Sequence, residues 1–149
     1  MSATGLDVFD RTLQITNIWL DEIMETLGPD RQVAWHALGA GLRALRDRLP
    51  AGLAVHLGAQ LPLLVRGIYY DQWAPSEQAL KQRSREEFLG HVSDGLKNIR
   101  PVNVQDAVRA VFQVLDRHVD PGQLDKVWNA LPEDVRALWP NRTGARSAA

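Results

Sequence analysis

The chain contains no cysteine, which excludes disulfide bonds, thiolate zinc sites and thiol catalysis. Its net charge is only −1, so it has no general basic excess for binding nucleic acid. The longest unbroken apolar run, residues 61–65, is far too short to span a membrane. The first ten residues carry Asp7 and Asp10 but no basic residue, unlike a secretory signal. We therefore expect a cytoplasmic protein with no nucleic-acid or membrane partner.

The sequence repeats itself at an offset of 70 positions. A fixed period of this kind indicates one supersecondary unit used twice, because neither copy buries its apolar face alone. Among the residues that recur unchanged are Leu45 and Leu115, Gly52 and Gly122, Leu61 and Leu131, Pro62 and Pro132, Val65 and Val135, and Arg66 and Arg136.

Apolar residues recur at helical spacing throughout, and no segment alternates long enough to indicate a strand. Each copy reads as two longer helices followed by two short ones, which begin near prolines. We expect helix caps at Asp30, Ser84 with Glu87, Asn103 and Asp120, and a capping pair of Thr4 with Asp7 before the first helix. The first helix carries two apolar rows, which predicts a central position: Phe9, Leu13, Leu20, Met24 and Leu27, and Ile15, Trp19 and Ile23.

We predict an all-α fold of about eight helices, in which two tandem four-helix repeats pack as one helical bundle. The predicted boundaries are residues 5–70 for the first repeat, 71–84 for a linker, 85–140 for the second repeat and 141–149 for a flexible tail. A joint core is favoured because each copy, at roughly 60–70 residues, is marginal for standing alone.

The motifs that suggest catalysis or cofactor binding are weak. Residues 39–44 (GAGLRA) match a loose dinucleotide-binding string but lie inside a helical stretch, where close helix packing explains the small residues better. Asp21 and Glu25, or Glu87 and His91, share a helix face and offer an acid–base pair or two metal ligands. A solvated surface is the favoured interpretation, so we predict no catalytic residue, metal or cofactor.

The aromatic segment at the end of the first copy is the strongest candidate site. Tyr69, Tyr70 and Trp73 fall within five residues, at the start of the predicted linker. Such rings either pack back on the core, which we favour, or anchor a partner. Arg66 and Arg136 both follow a proline by four residues, which predicts a shared structural role, such as bonding helix C-terminal carbonyls or an acid of the other copy.

The chain resembles the bacterial family catalogued as domain of unknown function 2267. The resemblance extends over residues 9–140 and implies a small, cytoplasmic, all-helical protein. The family has no established activity, so the resemblance implies no catalytic residues. The strings that carry it include Phe9-Asp-Arg-Thr-Leu-Gln, Gln60-Leu-Pro62, Tyr69-Tyr-Asp-Gln-Trp73, Arg85-Glu-Glu-Phe-Leu and Leu138-Trp-Pro140.

We therefore expect a non-enzymatic protein-interaction or regulatory module with an unidentified protein partner and no predicted oligomeric state. Its predicted interaction residues are Arg66, Tyr69, Tyr70 and Trp73. The alternative is a small-molecule sensor or carrier with an apolar pocket between the repeats, near Trp19 and Trp35. An enzyme and a DNA-binding regulator are less favoured.

Overall fold

The computed structural model describes residues 3–75 and 84–139. This part of the chain contains no strand, and none of its helices is long and apolar enough to cross a bilayer. The all-α prediction is confirmed. Most of the predicted linker (76–83) and all of the predicted tail (141–149) lie outside the described residues. The helices are α1 (Asp7–Leu27), α2 (Arg31–Arg46), α3 (Ala51–Ala59), α4 (Leu63–Tyr70), α5 (Arg85–Asp94), α6 (Val104–His118), α7 (Pro121–Ala130) and α8 (Glu133–Arg136).

Local sequence signals set most of the helix starts. Asp30, Ser84, Asn103 and Asp120 each accept a hydrogen bond from a backbone N–H in the first turn of the following helix. Such a cap stabilises a helix by about 1 kcal/mol, because it satisfies a donor that the helix itself leaves unpaired. These four predicted caps are confirmed.

The start of α1 differs from the prediction. The residue preceding the helix is Leu6, which makes no side-chain cap. The Thr4 hydroxyl donates instead to a carboxylate oxygen of Asp10 at 2.8 Å, and the Thr4 N–H donates to the same oxygen at 3.1 Å. The predicted capping pair of Thr4 with Asp7 is therefore wrong, because Thr4 pairs with Asp10, one helical turn further along α1.

Helix α2 occupies the centre of the bundle. Eleven of its 16 residues are buried, and it contacts α1, α4, α5 and α6. Its small residues permit this close packing: a Cβ added at Gly41 would lie 3.0 Å from Cγ2 of Val111 on α6. The string at 39–44 is thus a helix-packing face, as the sequence favoured.

The predicted central position of α1 is wrong. Its buried residues lie on one side of the helix, and among residues 7–15 only Thr12 is buried. Phe9, Leu13 and Ile15, which belong to the two predicted apolar rows, are exposed. The physical reason is length, since α1 has 21 residues and the helices α2 and α6 that it packs against have only 16 and 15.

The two halves of the chain share one core. A single apolar cluster contains residues of both halves, as predicted; Trp19 of α1 also stacks on His118 of α6 with ring centroids 5.2 Å apart. The helix contacts also recur in the two halves. Helix α1 contacts α6 and α4, and α5 in the second half contacts α2 and α8. The second helices of the two halves, α2 and α6, contact each other, and so do the third helices, α3 and α7. The division into two repeats remains our interpretation of the sequence, and this pattern of contacts supports it.

Candidate functional site

Arg66, a predicted interaction residue, closes the turn between α3 and α4. Its Nε donates to the carbonyl of Gly58 at 3.1 Å, and its Nη2 donates to the carbonyl of Leu61 at 2.9 Å. Seventy residues later, Nε of Arg136 donates to the carbonyl of Leu131 at 2.9 Å. The predicted shared role in bonding helix C-terminal carbonyls is confirmed, and it commits both guanidinium groups to their own turns.

Tyr69 belongs to the core and cannot anchor a partner. Its side chain is fully buried, and its hydroxyl donates to the carbonyl of Ala54 at 2.6 Å. Burial raises the pKa of the Tyr69 hydroxyl well above its ordinary value, with the neighbouring Tyr70 adding to the shift. The prediction of Tyr69 as an interaction residue is therefore corrected.

Tyr70 and Trp73 are half-buried and pack against the core. The Tyr70 ring lies edge-on to Tyr69 at 5.1 Å between centroids and 5.6 Å from Trp73. Gly58 on α3 leaves the room for these rings, since a Cβ there would lie 2.3 Å from the Tyr70 hydroxyl. The favoured interpretation, in which the aromatic segment packs back on the core, is confirmed.

Arginines of α2 hold the end of α4 in place. Arg46 is almost completely buried, and its Nη1 donates to the carbonyls of Tyr69 at 2.7 Å and Asp71 at 2.9 Å. Arg43 donates to the carbonyl of Ile68 at 3.3 Å. These carbonyls have no partner within α4, so cationic donors stabilise them particularly well. Sequence reasoning did not predict this role for Arg43 and Arg46.

A second polar contact joins the end of α2 to α5. Nη1 of Arg48 lies 2.8 Å from Nδ1 of His91, and the Arg48 guanidinium covers the Phe88 ring at 5.1 Å from its centroid. Burial lowers the pKa of His91, and the positive charge of Arg48 lowers it further. Glu87, predicted to work beside His91, instead accepts a hydrogen bond from the Ser84 hydroxyl at 2.9 Å.

A comparable contact joins the end of α6 to α1. The ring of His118 stacks on Trp19 with centroids 5.2 Å apart, while its Nε2 lies 2.9 Å from a carboxylate oxygen of Glu22. Trp19 is therefore covered and does not line a pocket. Asp21 and Glu25 form no buried acid pair, since Glu25 is exposed and lies 3.8 Å from Arg117. Within the described residues, no group of three or more His, Asp or Glu side chains is placed to hold a metal ion.

The depression at Trp35 belongs to the first half of the chain. It has a volume of about 460 Å³ and lies between α1 and α2, not between the two predicted repeats. Three of its lining residues are exposed, so it is open to solvent. Its lining consists of Leu20, Arg31, Gln32, Trp35 and His36.

The most unusual surface is apolar and lies on the first half of α1. In the described part of the chain, eight of the nine exposed large apolar side chains lie on α1, immediately before it or at the start of α4, and the ninth is Val55. The two helices meet here, since the N–H of Leu64 donates to the Thr12 hydroxyl at 3.4 Å. We call this the α1 apolar surface, and it comprises Leu6, Val8, Phe9, Leu13, Ile15, Ile18, Leu63 and Leu64.

Sequence reasoning missed the α1 apolar surface because it assigned Phe9, Leu13 and Ile15 to apolar rows of a central helix. The available signal was the width of the apolar arc, which occupies two sides of α1. A helix that is apolar on two sides is either central or carries a side that its own chain leaves uncovered. The periodicity alone does not distinguish these cases.

These features define an all-α protein with a shared core and an uncovered apolar helix face. The chain belongs to the family described as "Uncharacterized conserved protein (DUF2267)", whose model matches residues 16–138. The family resemblance found in the sequence is thereby confirmed. No curated protein matches the chain.

Proposed function

We propose that the chain is a non-enzymatic protein-interaction module that binds a cytoplasmic protein partner through the α1 apolar surface. One observation carries the proposal: the first half of α1 and the start of α4 expose several large apolar side chains, among them Val8 at 58% and Phe9 at 48%. Monomeric proteins rarely expose a contiguous apolar patch larger than a few hundred Å², and larger patches mark interaction sites.

The chemistry of this surface favours a protein over a lipid or a nucleic acid. The start of α1 carries Asp7, Asp10 and Arg11 and therefore has no basic excess that would attract anionic headgroups or phosphates. Phe9 and Leu13 are spaced by four residues and lie on the same face of the helix. This spacing suits an apolar groove or a second helix on the partner.

The predicted aromatic set is a weaker candidate for the same function. Tyr69 is buried and Arg66 is bonded to its own turn, so only the accessible edges of Tyr70 and Trp73 remain for a partner. Half-buried rings that pack on the core contribute less new buried area than the exposed side chains of α1.

Affinity capture from the native host tests the proposal, with a tag at the C-terminus. We expect a stoichiometric partner with the unaltered chain and its loss with the double variant Phe9→Asp/Leu13→Asp. Val55→Asp is the matched control, because Val55 is equally exposed on α3 but lies outside the α1 apolar surface. Circular dichroism establishes that each variant is folded.

Retention of the partner by the folded double variant would contradict the proposed surface. Loss of the partner only in the variant Tyr70→Ala/Trp73→Ala would show that the partner binds the aromatic segment. A protein that is captured alone from the host would contradict the interaction function itself.

A further inference from the structure

The Arg48–His91 contact is a hydrogen bond whose direction is fixed by chemistry. A guanidinium can only donate, so Nδ1 of His91, 2.8 Å from Nη1 of Arg48, must be the acceptor. His91 is therefore neutral, with its proton on Nε2. That nitrogen faces a carboxylate oxygen of Asp47 at 3.6 Å.

Arg48 depends strongly on this acceptor. Its side chain is only 3% exposed, and Nη1 has one other partner, the Ala44 carbonyl at 3.0 Å. The Nε and Nη2 atoms of Arg48 are buried and have no hydrogen-bond partner in the structure. A buried cation that loses one of so few acceptors is strongly destabilised.

The charges around His91 come from α5 and from the end of α2. Arg48 and Arg46 oppose its protonation, while Asp47 and Asp94 favour it. Burial is the largest influence, and together these groups lower the pKa of His91. The opposing carboxylates therefore do not compensate for burial and the two guanidinium groups.

We propose that His91 is a proton-sensitive latch that holds α5 against the end of α2. Neutral His91 accepts from Arg48 and keeps the junction closed. When the imidazole gains a proton at Nδ1, it loses its lone pair, faces the buried Arg48 cation and releases α5. This property goes beyond the proposed interaction function and does not depend on it.

The corresponding junction at α1 has the opposite chemistry. His118 stands 70 residues after Arg48, and its Nε2 lies 2.9 and 3.1 Å from the two carboxylate oxygens of Glu22. A protonated imidazole donates to a carboxylate and is stabilised by it. We therefore expect acidification to open the α2–α5 junction.

The direction of the pH effect follows from linkage. The pKa of His91 in the folded protein lies below its ordinary value of 6.5, so the unfolded or opened state binds the proton more readily. The contribution of the latch to stability is complete above pH 6.5 and is lost as the pH falls below that value. Each unit by which the closed junction lowers the pKa of His91 corresponds to a tenfold change in the equilibrium constant between the closed and the opened junction.

Hydrogen exchange of the full chain between pH 7.5 and 5, resolved by residue, tests the latch. After correction for intrinsic exchange rates, we expect protection of Phe88 and Val92 to fall with pH. Protection of Trp19 and Ile23 should remain constant. His91→Asn retains an acceptor oxygen near the position of Nδ1 but cannot gain a proton, so it should remove the pH dependence. His118→Asn is the control and should leave it in place.

A second measurement needs no variant. Nitrogen chemical shifts of the imidazole at pH 7.5 should show His91 protonated at Nε2 and bare at Nδ1, and its titration should lie below pH 6.5. The proposal is overturned if His91 titrates at or above 6.5, if α5 protection is independent of pH, or if His91→Asn retains the same fall.

Discussion

Arg46 of α2 donates to the main-chain carbonyl of Tyr69 at 2.7 Å, and both side chains are buried. The contact joins residues 23 positions apart and ties the end of α4 to the central helix. It also explains why the aromatic side chains at the end of α4 pack against the core. The arginine fixes the chain immediately before and after Tyr70, through the carbonyls of Tyr69 and Asp71.

Arg46→Ala should therefore lower the free energy of unfolding by about 3 kcal/mol, because two carbonyls at the end of α4 lose a charged donor. Urea denaturation followed by circular dichroism measures the loss. Arg31→Ala is the control, since Arg31 is exposed at the start of α2 and should change stability by less than about 0.5 kcal/mol. Equal effects of the two substitutions would contradict the structural role of Arg46.

Gly58→Ala should destabilise the protein by about 1–3 kcal/mol, because the new methyl group would overlap the Tyr70 hydroxyl and approach the buried Tyr69 ring at 3.0 Å. Thermal or urea unfolding measures the change. Gly52→Ala in the same helix is the control, since its Cβ would meet no atom within 4 Å. We expect this control to be neutral or stabilising by up to about 1 kcal/mol.

Arg66→Met and Arg136→Met should each lower stability by about 1–3 kcal/mol, because each removes a guanidinium that pairs with carbonyls after a helix. Methionine retains an apolar stem, so the comparison measures the loss of the polar contacts and, at Arg136, also of the guanidinium over the Trp128 ring at 4.7 Å. Denaturant titration of both variants should give losses that agree within about 1 kcal/mol. A cost at one position with none at the other would show that the two turns do not share a structural role.

The double variant Phe9→Asp/Leu13→Asp should remain folded, with a change in unfolding free energy of less than about 1 kcal/mol, because neither side chain contributes to the core. It should also reduce binding of an apolar fluorescent dye to the native protein. If the double variant unfolds, Phe9 and Leu13 are buried in solution. The α1 apolar surface would then belong to the folded core or to an interface between chains.

Local signals in the sequence predicted the helix starts well. Asp30 and Asn103 are capping residues whose effect depends on the next three residues only, and both caps occur as expected. The positions of the helices relative to one another depend on which apolar face meets which neighbour. The apolar pattern of α1 resembles that of a central helix, yet α2 is central because its small residues allow closer approach.

The candidate site was predicted in part. The adjacent Tyr69 and Tyr70 look alike in the sequence, but they point in different directions on α4, so one is fully buried and the other half-buried. The arginine at position 66 was correctly assigned a structural role by its recurrence at 136. The α1 apolar surface could not be recognised, since exposure depends on how far the neighbouring helices extend.

Hydrogen exchange of the protein alone and with its captured partner tests most directly whether the α1 apolar surface binds that partner. We expect binding to add protection along residues 7–18 of α1 and at the start of α4, with residues 69–73 unchanged. Protection that appears at residues 69–73 while α1 stays unchanged would contradict it.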